Sequence, residues 1–121
     1  MPVFNIKTLL KSFTYAWRGF RYATRREQNF RIHLVSTVVV ILLMIFFSVT
    51  LYEAIILTIA IMFVLILELV NIIFERLVDM LQPRIHHYAE IIKDLMATAV
   101  LVASAGALIV GILVFYPYLF S

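Results

Sequence analysis

The chain has 121 residues, 64% hydrophobic and 14% charged, with a net charge of +3 and no cysteine. A soluble domain averages roughly 45–50% apolar and about 25% charged residues, and a short chain buries a small fraction of its surface, so lipid must solvate much of this one. The absence of cysteine excludes a disulfide framework and thiolate metal sites.

Residues 5–26 predict a helix that does not span. Ile6, Leu9, Leu10, Phe13, Trp17 and Phe20 recur at helical spacing, while Lys7, Lys11, Arg18, Arg21 and Arg25 favour another side. That is the pattern of a basic amphipathic helix lying at the headgroups. Gly19 is expected to mark a kink or a close approach, and Tyr15 is kept apart from the purely surface residues. Residues 32–52 carry no formal charge unless His33 is protonated, and a span needs about 20 predominantly apolar residues; the first membrane helix is expected over about 30–50, with a turn at 49–53. Residues 54–67 are uncharged and run into "ELVNIIFERLVD", so the second helix is expected over 53–80. Pro83 punctuates the loop "MLQPRIHHYAE". A final helix opens near Glu90 and spans over about 92–117, inside an uncharged stretch from 95 to 121.

The fold class is therefore all-α and integral to the membrane: an interfacial N-terminal helix, three transmembrane helices and one domain over 1–121. Nothing reads as a cleavable signal peptide, because the first apolar run starts late and lacks a small-residue cleavage site. Ala99, Ala103, Ala107 and Gly111 place a small residue at every fourth position, a spacing that lets helix backbones approach in lipid; alanine's frequency in spans is the plainer explanation. Three helices make a thin wall around any polar site, so self-association is expected.

Seven of the ten basic residues precede the first span, and Arg76, Arg84 and Lys93 lie between the second and third. The two opposite ends, at 50–53 and 117–121, have none. By the positive-inside rule the N-terminus and the 76–93 loop are cytoplasmic. The positive charge reads as topology, and nucleic acid is excluded as a partner.

On one helix, Glu68, Asn71, Glu75 and Asp79 are spaced 3, 4 and 4 and form a single stripe. Charged groups within a span are costly and commonly mark function. The same membrane face receives Glu27, one turn before Arg31, and the pair Lys93–Asp94. Facing carboxylates need an intervening cation, and an all-oxygen set suits Mg²⁺ with phosphate oxygens. Metal, lysine and a proton-accepting carboxylate are the parts of phosphoryl transfer. With only Gly19, Gly106 and Gly111 there is no glycine-rich phosphate loop. The same stripe also suits an ion or proton pathway, and the residues alone leave both readings open. Plainer roles exist for each: Glu68 paired to a basic residue for helix association, Glu75 and Asp79 as solvated interfacial charges, Glu27 in an i,i+4 pair with Arg31, Lys93–Asp94 as a helix-start pair, and His33 as structural.

The motif Glu68-x-x-Asn71-x-x-x-Glu75-x-x-x-Asp79 resembles the signature of the small integral-membrane bacterial lipid kinases, the diacylglycerol kinase/undecaprenol kinase family. "FTYAWRGFRYATRREQNFRIH" and "HHYAEIIKDLMATAVLVAS" resemble its flanking blocks, in order and at similar spacing, so the likeness covers nearly all of residues 10–112. It implies a homotrimer with composite active sites in the bacterial inner membrane, Mg²⁺ as cofactor, ATP as phosphoryl donor and a lipid alcohol, undecaprenol or diacylglycerol, as substrate. "NFRIH" is closer to the undecaprenol branch. It further implies that Glu68 is the general base, that Glu27 and Glu75 hold Mg²⁺, and that Asn71 orients the catalytic groups. Lys93 would contact phosphate with Asp94 beside it, Asp79 would be a nucleotide-site acid, and Tyr15 and His86 would lie near the nucleotide. The chain departs from the family pattern at Ile72, Ile73 and Phe74, at Arg84 and Ile85, and at Thr8. An accessory protein that has lost activity is the reading those departures would favour.

Overall fold

The computed structural model describes residues 3–121. Among them the chain forms four α-helices and no strand: α1 (Ile6–Arg26), α2 (Gln28–Phe47), α3 (Leu51–Leu81) and α4 (His86–Phe120). The last three are long and apolar enough to cross a membrane. At ~1.5 Å per residue, the 31 residues of α3 measure about 46 Å, against a hydrocarbon core of about 30 Å. One end of α3 therefore projects beyond the hydrocarbon.

Short polar residues set the helix ends. Asn5 Oδ1 accepts from the backbone N–H groups of Lys7 at 3.0 Å and Thr8 at 3.4 Å, capping α1. The chain turns out of α1 at Glu27, whose backbone is extended (φ −117°, ψ 111°) and whose N–H still donates to the Ala23 carbonyl. Arg31 Nη1 folds back onto the carbonyls of Thr24 at 3.0 Å and Arg25 at 3.1 Å. A cation on these free carbonyls seals the C-terminal end of α1, so Arg31 holds the corner and leaves the Glu27 side chain for another partner.

The α2–α3 turn is tighter than the sequence suggests. Ser48 adopts a left-handed conformation (φ 49°), its N–H reaching Ile45 and the Val49 N–H reaching Met44, which closes α2. Thr50 then caps α3 in a reciprocal box with Glu53: Glu53 N–H to Thr50 Oγ1 at 3.3 Å and Thr50 N–H to Glu53 Oε1 at 2.9 Å. Glu53 thus belongs to the first turn of α3. Its carboxylate also accepts from Tyr118 Oη, tying the end of α4 to the start of α3.

Three expectations need correction. α4 begins at His86, four residues before Glu90, because the Tyr88 and Ala89 N–H groups already bond the Ile85 carbonyl. It also continues past Pro117, whose missing N–H removes one bond in the final turns, to Phe120. Gly19 marks no kink or close approach: α1 is continuous there, and a Cβ added to it would meet nothing within 4 Å.

α3 and α4 form the most extensive helix pair, with α2 against α3 and α1 against α2. Of the alanine–glycine stripe, Ala103 is buried, while Ala107 and Gly111 line an open cleft. Two apolar clusters hold the bundle. One joins Leu57 to Val114 and Phe115 towards the Tyr118 end. The other joins Ala23, Phe30 and Ile72, with Leu34, Leu65 and Leu69 around it. Ile72 is thereby absorbed into the seat of the α1–α2 corner on α3. Replacing Phe30, 1% exposed, with alanine is expected to destabilise the protein by about 3 kcal/mol. That is the low end for a buried Phe→Ala change, since packing between helices in lipid gains little from transfer out of water. Denaturation in mixed micelles followed by circular dichroism checks it.

Candidate active site

The corner at Glu27, the far half of α3 and the first turns of α4 meet at one end of the bundle, and the polar stripe lies there. Glu68 is the deepest member, 2% exposed. Its Oε2 has no hydrogen-bond partner among the described residues, and the nearest polar atom recorded to it is His33 Nε2 at 3.6 Å. One turn on, Asn71 is 6% exposed; its Nδ2 donates to Glu75 Oε1 at 3.1 Å, and its Oδ1 is also without a partner. Two orphaned, buried acceptors on one face are costly unless a donor or cation arrives.

Beyond Asn71 the stripe opens into an ion-pair chain. Arg76 Nη2 contacts Glu27 Oε1 and lies 3.9 Å from Glu75 Oε2; its Nη1 lies 3.4 Å from Asp79 Oδ2. Lys93 Nζ donates to Asp79 Oδ1 at 2.7 Å. Elements far apart in sequence thus place Glu27, Glu75, Asp79 and Lys93 in one array, and Glu27 pairs with Arg76 where an Arg31 pair was the plainer expectation. The other candidates stand outside it. Asp94 is exposed, with only its backbone carbonyl engaged, by Thr98. Tyr15 is 61% exposed under the Arg18 guanidinium, 5.8 Å away. His86 is exposed against the His87 ring, 5.9 Å away.

Sequence reasoning treats His33 as structural and Arg76 only as a topology marker. His33 in fact stands between Glu68 and a cleft of about 630 Å³ walled by α2, α3 and α4. Around His33 the cleft carries Ser36, Thr37 and Ser104; further on its walls are apolar, among them Val40, Leu57 and Phe115. A long apolar chain fits such a wall, with its polar end at His33 and Glu68. Ile73, one of the departures, and Leu77 line a separate groove with Phe13, Trp17 and Phe20 of α1.

Among the described residues no three acidic or histidine side chains are close enough to hold a metal alone. Glu27 and Glu75 nevertheless converge on a single cationic nitrogen. This donor set fits a Mg²⁺ ion that brings phosphate oxygens with it, since that ion characteristically uses one or two carboxylates.

The family model for prokaryotic diacylglycerol kinase matches residues 14–115. The chain belongs to that family. Among curated relatives, a diacylglycerol kinase of Synechocystis is 40% identical over 114 residues, covering 93% of this chain and 65% of its own length. An undecaprenol kinase of Bacillus subtilis is 32% identical over 115 residues, covering 95% and 94%. A diacylglycerol kinase of Escherichia coli is 29% identical over 101 residues, covering 84% and 83%. The chain spans just under two thirds of the Synechocystis relative, and nearly all of the Bacillus one. The matched segment runs from within α1 to Phe115 on α4, and so contains every member of the ion-pair array.

Proposed function

We propose that this member of the prokaryotic diacylglycerol kinase family is a lipid kinase. It transfers the γ-phosphate of ATP to the hydroxyl of a membrane lipid alcohol, undecaprenol or diacylglycerol, at the cytoplasmic face of the bacterial cell membrane. The observation that carries this is the position of Glu68, a buried carboxylate with a free oxygen, beside His33 of an apolar cleft and one turn from Asn71, which bonds Glu75 of the ion-pair array. The substrate's chain stays in the cleft, and its hydroxyl reaches Glu68 beside His33. Glu68 takes the hydroxyl proton as the lipid oxygen bonds to the γ-phosphorus and the bond to the ADP oxygen breaks. Asn71 steadies Glu75 from the same helix face. Glu27 and Glu75 hold Mg²⁺, which when bound offsets phosphate charge. Lys93, with Asp94 following it, faces the phosphates; Asp79 fixes the Lys93 ammonium. Tyr15 and His86 serve the nucleotide's outer parts.

The chain acts as one membrane domain over 1–121, with the N-terminus and the 76–93 loop cytoplasmic. It assembles as a homotrimer in which a neighbour covers the open side of the array. An ion pathway is the weaker reading, because the cleft walls beyond Ser104 and Thr37 are apolar.

The test is Mg²⁺-dependent transfer of labelled γ-phosphate in detergent–lipid micelles, with undecaprenol and diacylglycerol offered separately. Labelled product from one lipid is the expected result and names the substrate. ATP binding without transfer to either would overturn these two lipids as substrates, and absence of ATP binding would overturn the kinase.

A further inference from the structure

Arg76 has no part in the scheme above, yet it is the most connected side chain at the site. Its guanidinium reaches carboxylates from two separate elements: Glu27 at the α1–α2 corner, and Glu75 and Asp79 on α3. One nitrogen, Nη2, serves both Glu27 and Glu75. These are the two carboxylates that the lipid-kinase reading gives to the metal, and the inference rests on that reading. We propose that Arg76 is a tethered cation that holds Glu27 and Glu75 together before nucleotide arrives, yields them to Mg²⁺, and turns its guanidinium onto the nucleotide phosphates.

Charge alone requires something of this kind. Glu27, Glu75 and Asp79 stand at one end of the bundle, and without a cation they would drive the α1–α2 corner away from α3. Arg76 and Lys93 supply two positive charges against these three negative ones, leaving the array at −1. A divalent ion entering it brings the balance to +1, which favours a polyphosphate.

A metal ion on the Glu27 oxygen that Arg76 contacts would set two cations against each other at close range, so metal entry favours an exchange. The exchange is easy. The Arg76 side chain is 44% exposed, against 33% for Glu75 and 17% for Glu27, and an ion pair with its cation this open to solvent contributes little. Once released, the guanidinium stays on site, because Nη1 lies on Asp79 one helical turn away. Its planar fork of donors matches two oxygens of a phosphate, which a lysine at the same place would not do. A fixed structural strut, by contrast, would be expected to be buried and to keep its partners.

The test titrates Mn²⁺, followed by electron paramagnetic resonance, into the full-length protein in lipid micelles, with nucleotide absent. Wild type, Arg76→Gln and Arg76→Lys are compared, and ATP affinity is then measured for each. Removing the competitor should tighten Mn²⁺ binding about fivefold in Arg76→Gln, the factor set by a weak, solvated ion pair. ATP affinity in the presence of metal should fall about tenfold for the lost bidentate phosphate contact. Arg76→Lys keeps the positive charge and guards against loss of the corner; it should show the ATP defect with little change in Mn²⁺ affinity. Mn²⁺ binding unchanged or weakened in Arg76→Gln would overturn the proposal and leave Arg76 a static bridge. The kinase reading fails separately, through absence of lipid phosphorylation by wild type.

Discussion

Glu68→Gln is expected to lower the rate of lipid phosphorylation by about 10³-fold, within the range that a positioned general base supplies, with ATP affinity near that of wild type. The substitution keeps the shape of a side chain that is 2% exposed and removes its negative charge and its capacity to take a proton. It should not unfold the protein. A buried carboxylate without a counter-charge is costly, whereas a neutral amide is less so. The new amide group could also donate to the orphaned Oδ1 of Asn71, one turn away on the same face. The deciding comparison is kcat against KM for ATP, alongside the unfolding midpoint. A loss confined to kcat fits proton transfer. A large rise in KM for ATP with kcat retained would mean that Glu68 holds metal or nucleotide instead. His33, 3.6 Å from Glu68, makes Glu68→His a poor control, since two imidazoles would crowd the mouth of the cleft.

The architecture could be read from the chain because membrane helices announce themselves by length and by charge exclusion. Even the α3 start is written locally: Thr50 and Glu53 stand in the spacing of a capping box, a polar signal that hydropathy does not carry. The stripe from Glu68 to Asp79 follows from helical periodicity alone. The partners of that stripe do not, because they depend on the angle at which α1 and α2 meet. Glu27 pairs with a residue 49 positions away, and His33 approaches one 35 positions away; no local pattern encodes either distance. Arg31 illustrates the same limit. Its spacing from Glu27 suggests a pair on one helix, but Glu27 is where the helix breaks, and Arg31 turns to the free carbonyls of α1. Ile72 looks like an intrusion beside Asn71 and is instead the floor on which Phe30 and Ala23 rest.

Lys93→Ala is expected to lower kcat/KM for ATP by about 10²-fold, the loss typical of removing one preorganised positive donor from a charge-stabilising site. Lys93 reaches the array from α4, and its ammonium is held at 2.7 Å by Asp79. That hold fixes where the positive charge stands while leaving two N–H groups free for phosphate. Alanine would remove the charge and leave Asp79 paired to Arg76 alone. The fold should tolerate the change, because a half-exposed ion pair contributes little to stability. Asp94→Asn provides the contrast. Asp94 is exposed, and among the described residues its carboxylate has no recorded hydrogen bond or ion pair; a change of only a few-fold is expected if its role is electrostatic support at a distance. Equal losses in the two variants, measured as initial rates across ATP concentrations, would mean that Asp94 turns into the site with the nucleotide. Arg76→Lys combined with Lys93→Ala separates the two cations. If both serve the same phosphates, the double variant should lose less than the product of the single losses.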